Sequence, residues 1–159
     1  MNTRSKIVSL EILKRKIARH RKAGQTISFT NGCFDILHFG HVSYLEAAKK
    51  PNRILIVGLN SDVSVKRLKG PKRPINSQRE RAAVLAALAS VDYVTIFHED
   101  TPYQLIKKIR PDVLIKGADW KGKEVVGRDL VGKVEFAKYL SSYSTSKTID
   151  QLSLLIRGS

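Results

Sequence analysis

Two kinds of hydrophobic pattern alternate along the chain. Apolar residues spaced three and four positions apart, with capping signals at the start, predict a series of helices. Ser77 followed by Glu80 fits a capping box, and Thr101 followed by Pro102 fits an N-cap and a first helical residue. The predicted helices cover residues 9–22, 42–50, 62–68, 77–89, a segment that begins at Thr101, and residues 146–156.

Short apolar runs between these helices predict five strands. The run RILIVGLN is apolar almost throughout, which is typical of a strand covered on both faces. Strands that alternate with helices indicate an α/β protein, with a mostly parallel five-stranded sheet and helices on both faces. No linker divides the chain, so we expect a single domain over 1–159, with a basic helix in 1–24 and the core in 25–156. The predicted strands are residues 26–30, 53–60, 92–97, 112–116 and 133–140.

The formal net charge of +15 predicts acidic partners. Residues 1–24 hold eight lysines and arginines against a single acidic residue, Glu11. Nucleotides, sugar phosphates, nucleic acid and anionic lipid all fit this balance, and a solvated helix face is the simpler alternative. Cys33 is the single cysteine, which excludes an internal disulfide and suits a reducing compartment. No apolar run approaches the ~20 residues of a membrane span, so we expect a cytoplasmic protein that does not insert into membranes.

In a parallel sheet, ligands bind outside the carboxyl ends of the strands, so the segments after each strand are the functional candidates. The first such segment is TNGCFDILHFGH. Gly32 allows a sharp turn and the close approach of a ligand, and the free N–H groups of the next helix favour phosphate. His38 and His41 can donate hydrogen bonds to phosphate oxygens, and Gly40 leaves space between them. Zinc is the alternative ligand, but no nearby cysteine or carboxylate cluster completes such a site, so none is predicted.

Two basic or hydroxyl-rich segments carry weaker signals. Lys66, Arg67 and Lys69 follow the second strand and could hold a polyphosphate, although a solvated helix end has the same composition. Residues 144–146 read Ser-Thr-Ser at the start of the last predicted helix. They could hold a phosphate or act as an ordinary N-cap.

The stretch GADWKGKE (117–124) follows the fourth strand and contains most of a P-loop pattern. Glu124 stands where a P-loop has the hydroxyl residue that binds magnesium, so we do not expect a P-loop here. Asp119 and Trp120 could instead contact a base or ribose, and Trp120 could also simply pack.

The combination of these motifs resembles the cytidylyltransferase-like nucleotidyltransferases. Within that superfamily, the sequence is similar to the bacterial D-glycero-β-D-manno-heptose 1-phosphate adenylyltransferases in their standalone form, without a sugar kinase domain. The similarity covers about residues 8–156 and implies a Rossmann-like three-layer α/β/α fold. It rests on the HxGH and STS motifs within TNGCFDILHFGHVSYLEAAKK and YSTSK, and on VGLNSDVSVKRLKGPKRPIN, VLAALASVDYVTIFHEDTP, RPDVLIKGADW and VVG at 125–127.

This resemblance implies transfer of AMP from ATP to a heptose 1-phosphate, giving ADP-heptose for lipopolysaccharide and releasing pyrophosphate. It also implies Mg²⁺ bound mainly through the nucleotide phosphates, and a homodimer. His38, His41 and Lys69 would be the catalytic residues. The nucleotide and its phosphates would contact Thr30, Asn31, Gly32, Cys33, Phe34, Gly40, Lys116, Gly117, Asp119, Ser144, Thr145 and Ser146. Candidate substrate-binding residues are Asp35, Asn60, Asp62, Arg81 and Trp120.

Two other functions stay open. The stretch GADWKGK is similar to part of the glycerol 3-phosphate cytidylyltransferases, which would use CTP and a polyol phosphate. Those enzymes carry an arginine shortly before their STS motif, whereas this chain has LSSYSTS, which weighs against them. A basic module that binds nucleic acid or a membrane surface without catalysis is the alternative of another class. It rests on charge alone, and the intact HxGH motif argues against it, so nucleic acid is not expected as a partner.

Overall fold

Five parallel strands form the sheet on which the rest of the described chain packs. The computed structural model describes residues 3–137 together with Thr145, Thr148, Ile149, Leu154 and Leu155. All four strand pairs are parallel, and the strand order is β3-β2-β1-β4-β5. This confirms the expected Rossmann-like α/β fold. The strands are β1 (Thr26–Gly32), β2 (Arg53–Asn60), β3 (Tyr93–Phe97), β4 (Val113–Gly117) and β5 (Lys133–Ala137).

Helices cover both faces of this sheet. Every residue of β2 is buried, and its side chains alternate between two apolar clusters. Leu55 and Val57 face one helical layer, formed by α2 and α4, while Ile54 and Ile56 face the other, formed by α1 and α5. The helices are α1 (Leu10–Lys22), α2 (Phe39–Ala48), α3 (Asp62–Lys69), α4 (Gln78–Ala87) and α5 (Tyr103–Ile109). Short 3-10 turns occur at Thr3–Lys6, Ala118–Trp120 and Arg128–Leu130.

Capping interactions explain several helix starts. Ser9 and Ser61 accept hydrogen bonds from the first turns of α1 and α3, and the predicted capping box of Ser77 and Glu80 is present at α4. The prediction at α5 is wrong by one residue. Pro102 takes the N-cap position, because its carbonyl accepts the first helical hydrogen bond, from Ile106 N at 2.9 Å.

The start of α2 also differs from the prediction. The helix begins at Phe39, three residues before the predicted start, and His38 is its N-cap. Gly40 and His41 therefore lie inside the first helical turn, and His41 N donates to the His38 carbonyl at 2.9 Å. The predicted continuation of β5 beyond Ala137 and most of the predicted last helix lie outside the described residues, although Thr148, Ile149, Leu154 and Leu155 are helical.

The sheet opens between β1 and β4, which is where the strand order reverses. The pairing of β1 with β2 continues to Gly32, whereas the pairing of β1 with β4 covers only Ser28 and Phe29. The hydroxyl of Tyr44, on α2, fills the gap beyond that point. It donates to the Ile115 carbonyl on β4 at 3.0 Å and lies 2.6 Å from the hydroxyl of Thr30 on β1. The helix α2 is thus fixed to both diverging strands.

We expect Tyr44→Phe to destabilise the fold by about 1–3 kcal/mol, because it leaves a buried hydroxyl and a buried carbonyl without this partner. Urea unfolding measures the change in the free energy of unfolding. Tyr103→Phe is the matched control, since the Tyr103 hydroxyl donates to Asp129 at an exposed position. Equal effects of the two substitutions would contradict a bridging role for Tyr44.

Candidate active site

The opening between β1 and β4 leads into a cavity of about 520 Å³ at the carboxyl edge of the sheet. Such an opening is where ligands bind in folds of this type. Twelve of the residues proposed from the sequence line it: Asn31, Gly32, Cys33, Phe34, Gly40, His41, Asn60, Lys69, Lys116, Gly117, Asp119 and Trp120.

The two histidines of the HxGH motif form a stacked pair at the start of α2. Their ring centroids are 3.8 Å apart and the planes are inclined by 24°. Nδ1 of His41 is buried and has no hydrogen-bond partner among the residues that the structure describes. A buried polar atom normally has a partner, and the His41 ring that carries this nitrogen lines the cavity.

Burial favours the neutral form of both imidazoles. Burial lowers the pKa of His38, and burial followed by the neighbouring His38 lowers the pKa of His41 to about 4. A backbone hydrogen bond at Ile36 acts on His41 in the opposite direction. Negative charge beside an imidazole raises its pKa, so phosphate oxygens would favour the charged forms of this pair.

A buried lysine lines the same cavity as His41. Lys116, on β4, donates from Nζ to Asn31 Oδ1 at 2.7 Å, and Nζ lies 5.2 Å from the centre of the Trp120 ring. Burial lowers the pKa of Lys116 to about 8, against the opposing effect of Asp119. This side chain therefore places a positive charge between the ends of β1 and β4 at neutral pH.

The turn after β1 is tightly packed. Phe34 adopts a left-handed backbone conformation with φ of 44°, and its ring lies 5.0 Å from that of His41. A Cβ atom at Gly32 would come within 2.9 Å of the Phe34 ring, so a larger residue there would displace the ring. Burial raises the pKa of the Cys33 thiol, while the positive charge of Lys69, which lines the same cavity, acts to lower it.

Several residues proposed from the sequence lie next to the cavity instead of lining it. His38 stacks on His41, Thr30 bonds to Tyr44, and Thr145 donates to the Ile36 carbonyl at 3.2 Å. Ser144 and Ser146 lie outside the described residues. The polar atoms of three proposed substrate-binding residues have partners within the protein; these residues are Asp35, Asp62 and Arg81.

Six lining residues were missed by the residue-level prediction. Asp100, Thr101 and Pro102 come from FHEDTP, which the sequence had marked only as the segment after the third strand. The signal in the sequence for these three residues was their position after the third predicted strand. The other missed residues, Tyr44, Leu68 and Val126, are apolar or aromatic side chains that the sequence does not distinguish from the core.

The family model described as cytidylyltransferase-like matches residues 29–153, which include the histidine pair, Lys69 and Lys116. The chain belongs to the cytidylyltransferase-like family. This confirms the resemblance drawn from the sequence and makes the chain a nucleotidyltransferase.

Two curated relatives of this nucleotidyltransferase are longer than this chain. It is 52% identical over 151 residues to the bifunctional protein HldE of Aliarcobacter butzleri, covering 95% of this chain and 32% of that protein. It is 60% identical over 126 residues to the HldE of Campylobacter jejuni subsp. jejuni, covering 79% of this chain and 27% of that protein. The chain thus spans about a third of the length of these curated relatives.

A solved structure has the same fold. The lipopolysaccharide core biosynthesis protein from Thermoplasma volcanium aligns with a TM-score of 0.60 at 30% identity, covering 74% of this chain and all of that chain. Within the described part of the nucleotidyltransferase, no helix has both the length and the apolar content needed to cross a membrane.

Because the fold favours the neutral form of His41, we expect the free energy of unfolding to decrease as the pH falls. Its folded pKa of about 4 lies below the unfolded value of about 6.5, so the unfolded chain takes up the proton first as the pH falls. Between pH 7 and pH 5, we expect His41 to lower the free energy of unfolding of the ligand-free protein by about 2 kcal/mol. His41→Asn should remove that part of the pH dependence, as measured by urea unfolding at both pH values.

His98→Asn is the control for this experiment, because the His98 side chain is exposed. It should retain the full difference between pH 7 and pH 5. An unchanged acid dependence in His41→Asn would show that His41 is not held neutral by the fold.

Proposed function

We propose that this nucleotidyltransferase transfers AMP from ATP to a sugar 1-phosphate, specifically D-glycero-β-D-manno-heptose 1-phosphate, giving ADP-heptose and pyrophosphate. The observation that carries the proposal is the stacked histidine pair at the start of α2, which opens onto a cavity that also holds Lys69 and Lys116. Identity of 52–60% to the HldE proteins over this region supports the choice of reaction.

In the proposed reaction, a phosphate oxygen of the sugar 1-phosphate attacks the α-phosphorus of ATP. A new P–O bond forms there, the bond from the α-phosphorus to the bridging oxygen breaks, and pyrophosphate leaves with that electron pair. The attacking oxygen is already anionic, so no strong general base is needed, and catalysis consists of positioning and charge stabilisation. His38 and His41 bind the triphosphate and stabilise the charge that develops on its oxygens, and Lys69 and Lys116 add positive charge.

We propose Mg²⁺ as the cofactor, entering with the nucleotide. Among the described residues, no group of three or more His, Cys, Asp or Glu side chains is arranged to hold a metal ion. Of the two carboxylates that line the cavity, Asp100 pairs with Arg67, which leaves Asp119 facing the ligand space. These residues fit a cation held largely by phosphate oxygens and water, as magnesium usually is. When bound, the ion neutralises charge on the phosphates.

We also propose that residues 1–159 act as one nucleotidyltransferase unit, with the basic helix in 1–24 covering the core in 25–156. We propose that it acts in the cytoplasm, where its proposed nucleotide substrate is available. We propose a homodimer, for which the exposed Leu154 and Leu155 offer an apolar surface, and light scattering of the purified chain tests this.

Pyrophosphate release measured with a matrix of substrates tests the proposed reaction. ATP, CTP, GTP and UTP are each combined, in the presence of Mg²⁺, with heptose 1-phosphate, other sugar 1-phosphates and glycerol 3-phosphate. We expect release with ATP and heptose 1-phosphate. Release only with CTP and glycerol 3-phosphate would replace the proposal with a cytidylyltransferase, and no release with any pair would overturn it. His41→Ala should lower turnover at least 100-fold while the protein remains folded.

The pKa of Lys116 predicts an alkaline limit to activity. Because only the protonated ammonium helps to bind phosphate, kcat/KM should fall as the pH rises through about 8. Lys116→Arg should move that fall to higher pH, because guanidinium stays charged. The pH dependence of pyrophosphate release measures the effect.

Lys123→Arg is the matched control, since Lys123 also lies beside the Trp120 ring, with Nζ 5.9 Å from its centre, but is exposed. Lys123→Arg should leave the pH at which kcat/KM falls unchanged. If that pH is also unchanged in Lys116→Arg, the alkaline limit belongs to a group other than Lys116.

A further inference from the structure

A buried arginine fixes the first residue of α3. The Arg81 side chain, on α4, is 1% exposed, and Nη2 donates to Oδ1 of Asp62 at 2.8 Å. Its other donors reach the Asn76 carbonyl, at 3.0 Å from Nε, and the Cys33 carbonyl. The guanidinium therefore joins three segments: the turn after β1, the start of α3 and the loop before α4.

A buried aspartate fixes the loop that follows α3. Asp35 is 3% exposed, and its carboxylate accepts hydrogen bonds from Arg73 Nε at 2.6 Å, Ile75 N at 2.8 Å and Asn76 N at 3.0 Å. The Asn76 amide donates in turn to the Asp35 carbonyl at 2.7 Å. Burial raises the pKa of Asp35, but the backbone hydrogen bonds and Arg73 outweigh it and hold the pKa below its usual value.

Lys69 lies between these two fixed points, as the last residue of α3. Gly70 N donates to the Lys66 carbonyl at 2.9 Å, and Arg73 N donates to the Gly70 carbonyl at 3.1 Å. These bonds close a short turn between Lys69 and the Asp35–Arg73 ion pair. The backbone at Lys69 is therefore held between the contacts of Arg81 at the start of α3 and those of Asp35 in the loop after it.

We propose that Asp35 and Arg81 are positioning residues: they hold α3 at both ends and thereby fix Lys69 relative to the histidine pair. This rests on the proposed function of the site. Neither residue needs to touch substrate, because the polar atoms of both are used within the protein. Each charge is buried and multiply hydrogen-bonded, which makes the arrangement stiff, since loss of one partner leaves a buried charge incompletely satisfied. A displacement of about 1 Å at a reacting centre can cost about 100-fold in rate.

A double-mutant cycle between Arg73 and Lys69 tests the proposal. Arg73→Ala removes one of the donors to Asp35 and keeps its backbone donors, which favours retention of the fold. In the otherwise unchanged chain, we expect it to lower kcat/KM for pyrophosphate release about 10-fold. In the Lys69→Ala background, Arg73→Ala should lower kcat/KM less than 2-fold, because the Lys69 ammonium, which Arg73→Ala would otherwise displace, is absent.

Three further measurements sharpen this result. Arg79→Ala removes an exposed arginine from the same helix as Arg81 and should leave kcat/KM unchanged in both backgrounds. Amide hydrogen exchange in Arg73→Ala should rise in residues 69–76 and stay unchanged in β1 and β2. Arg81→Lys keeps the positive charge but cannot reach all three acceptors, so it should behave like Arg73→Ala.

Failure of the proposed function is distinguishable from failure of this inference. If the unaltered chain releases no pyrophosphate with any substrate pair, the proposed function fails, and the same cycle is then measured on the Kd of inorganic tripolyphosphate. Effects of Arg73→Ala that are equal with and without Lys69, in either assay, would overturn the positioning role. So would unchanged hydrogen exchange in residues 69–76.

Discussion

The separation of β1 from β4 after two paired positions is the feature on which the site depends. Neighbouring parallel strands normally satisfy one another's backbone groups, so an opening in a sheet leaves buried carbonyls that need other partners. Tyr44 supplies one of them, since its hydroxyl reaches across the opening from α2. The same contact fixes the helix that carries His38 and His41. The Tyr44 hydroxyl therefore links the opening in the sheet to the position of the histidine pair.

The two lysines of the site, Lys116 and Lys69, are held in position by different contacts. Lys116 is carried by a strand and held by Asn31, so its position is determined by the sheet itself. Lys69 is carried by a short helix whose first residue pairs with the buried Arg81 and whose following loop pairs with the buried Asp35. The first arrangement tolerates changes in the surrounding loops, whereas the second depends on them.

The sequence predicted the sheet and most helices because their signals are local. The apolar run of β2 and the capping box at Ser77 each depend on neighbouring residues and were confirmed. The start of α2 was missed because His38 takes the N-cap position without a side-chain capping hydrogen bond, so the usual signal is missing. Tertiary contacts determine such a helix start, and a single sequence does not reveal them.

The site was predicted to the extent that its residues follow strands or match a motif. Arg73 lies 38 residues from Asp35, and Arg81 lies 48 residues from the Cys33 carbonyl that it contacts, so these pairings could not be inferred from spacing.

The stacking of the two histidines has a consequence for ligand binding. An anion bound beside the pair would raise the pKa of both rings and draw protons from solvent, so part of its counter-charge would come from the solvent. Neutral rings avoid the repulsion between two adjacent cations, and the affinity of the pair for any anion becomes coupled to the pH.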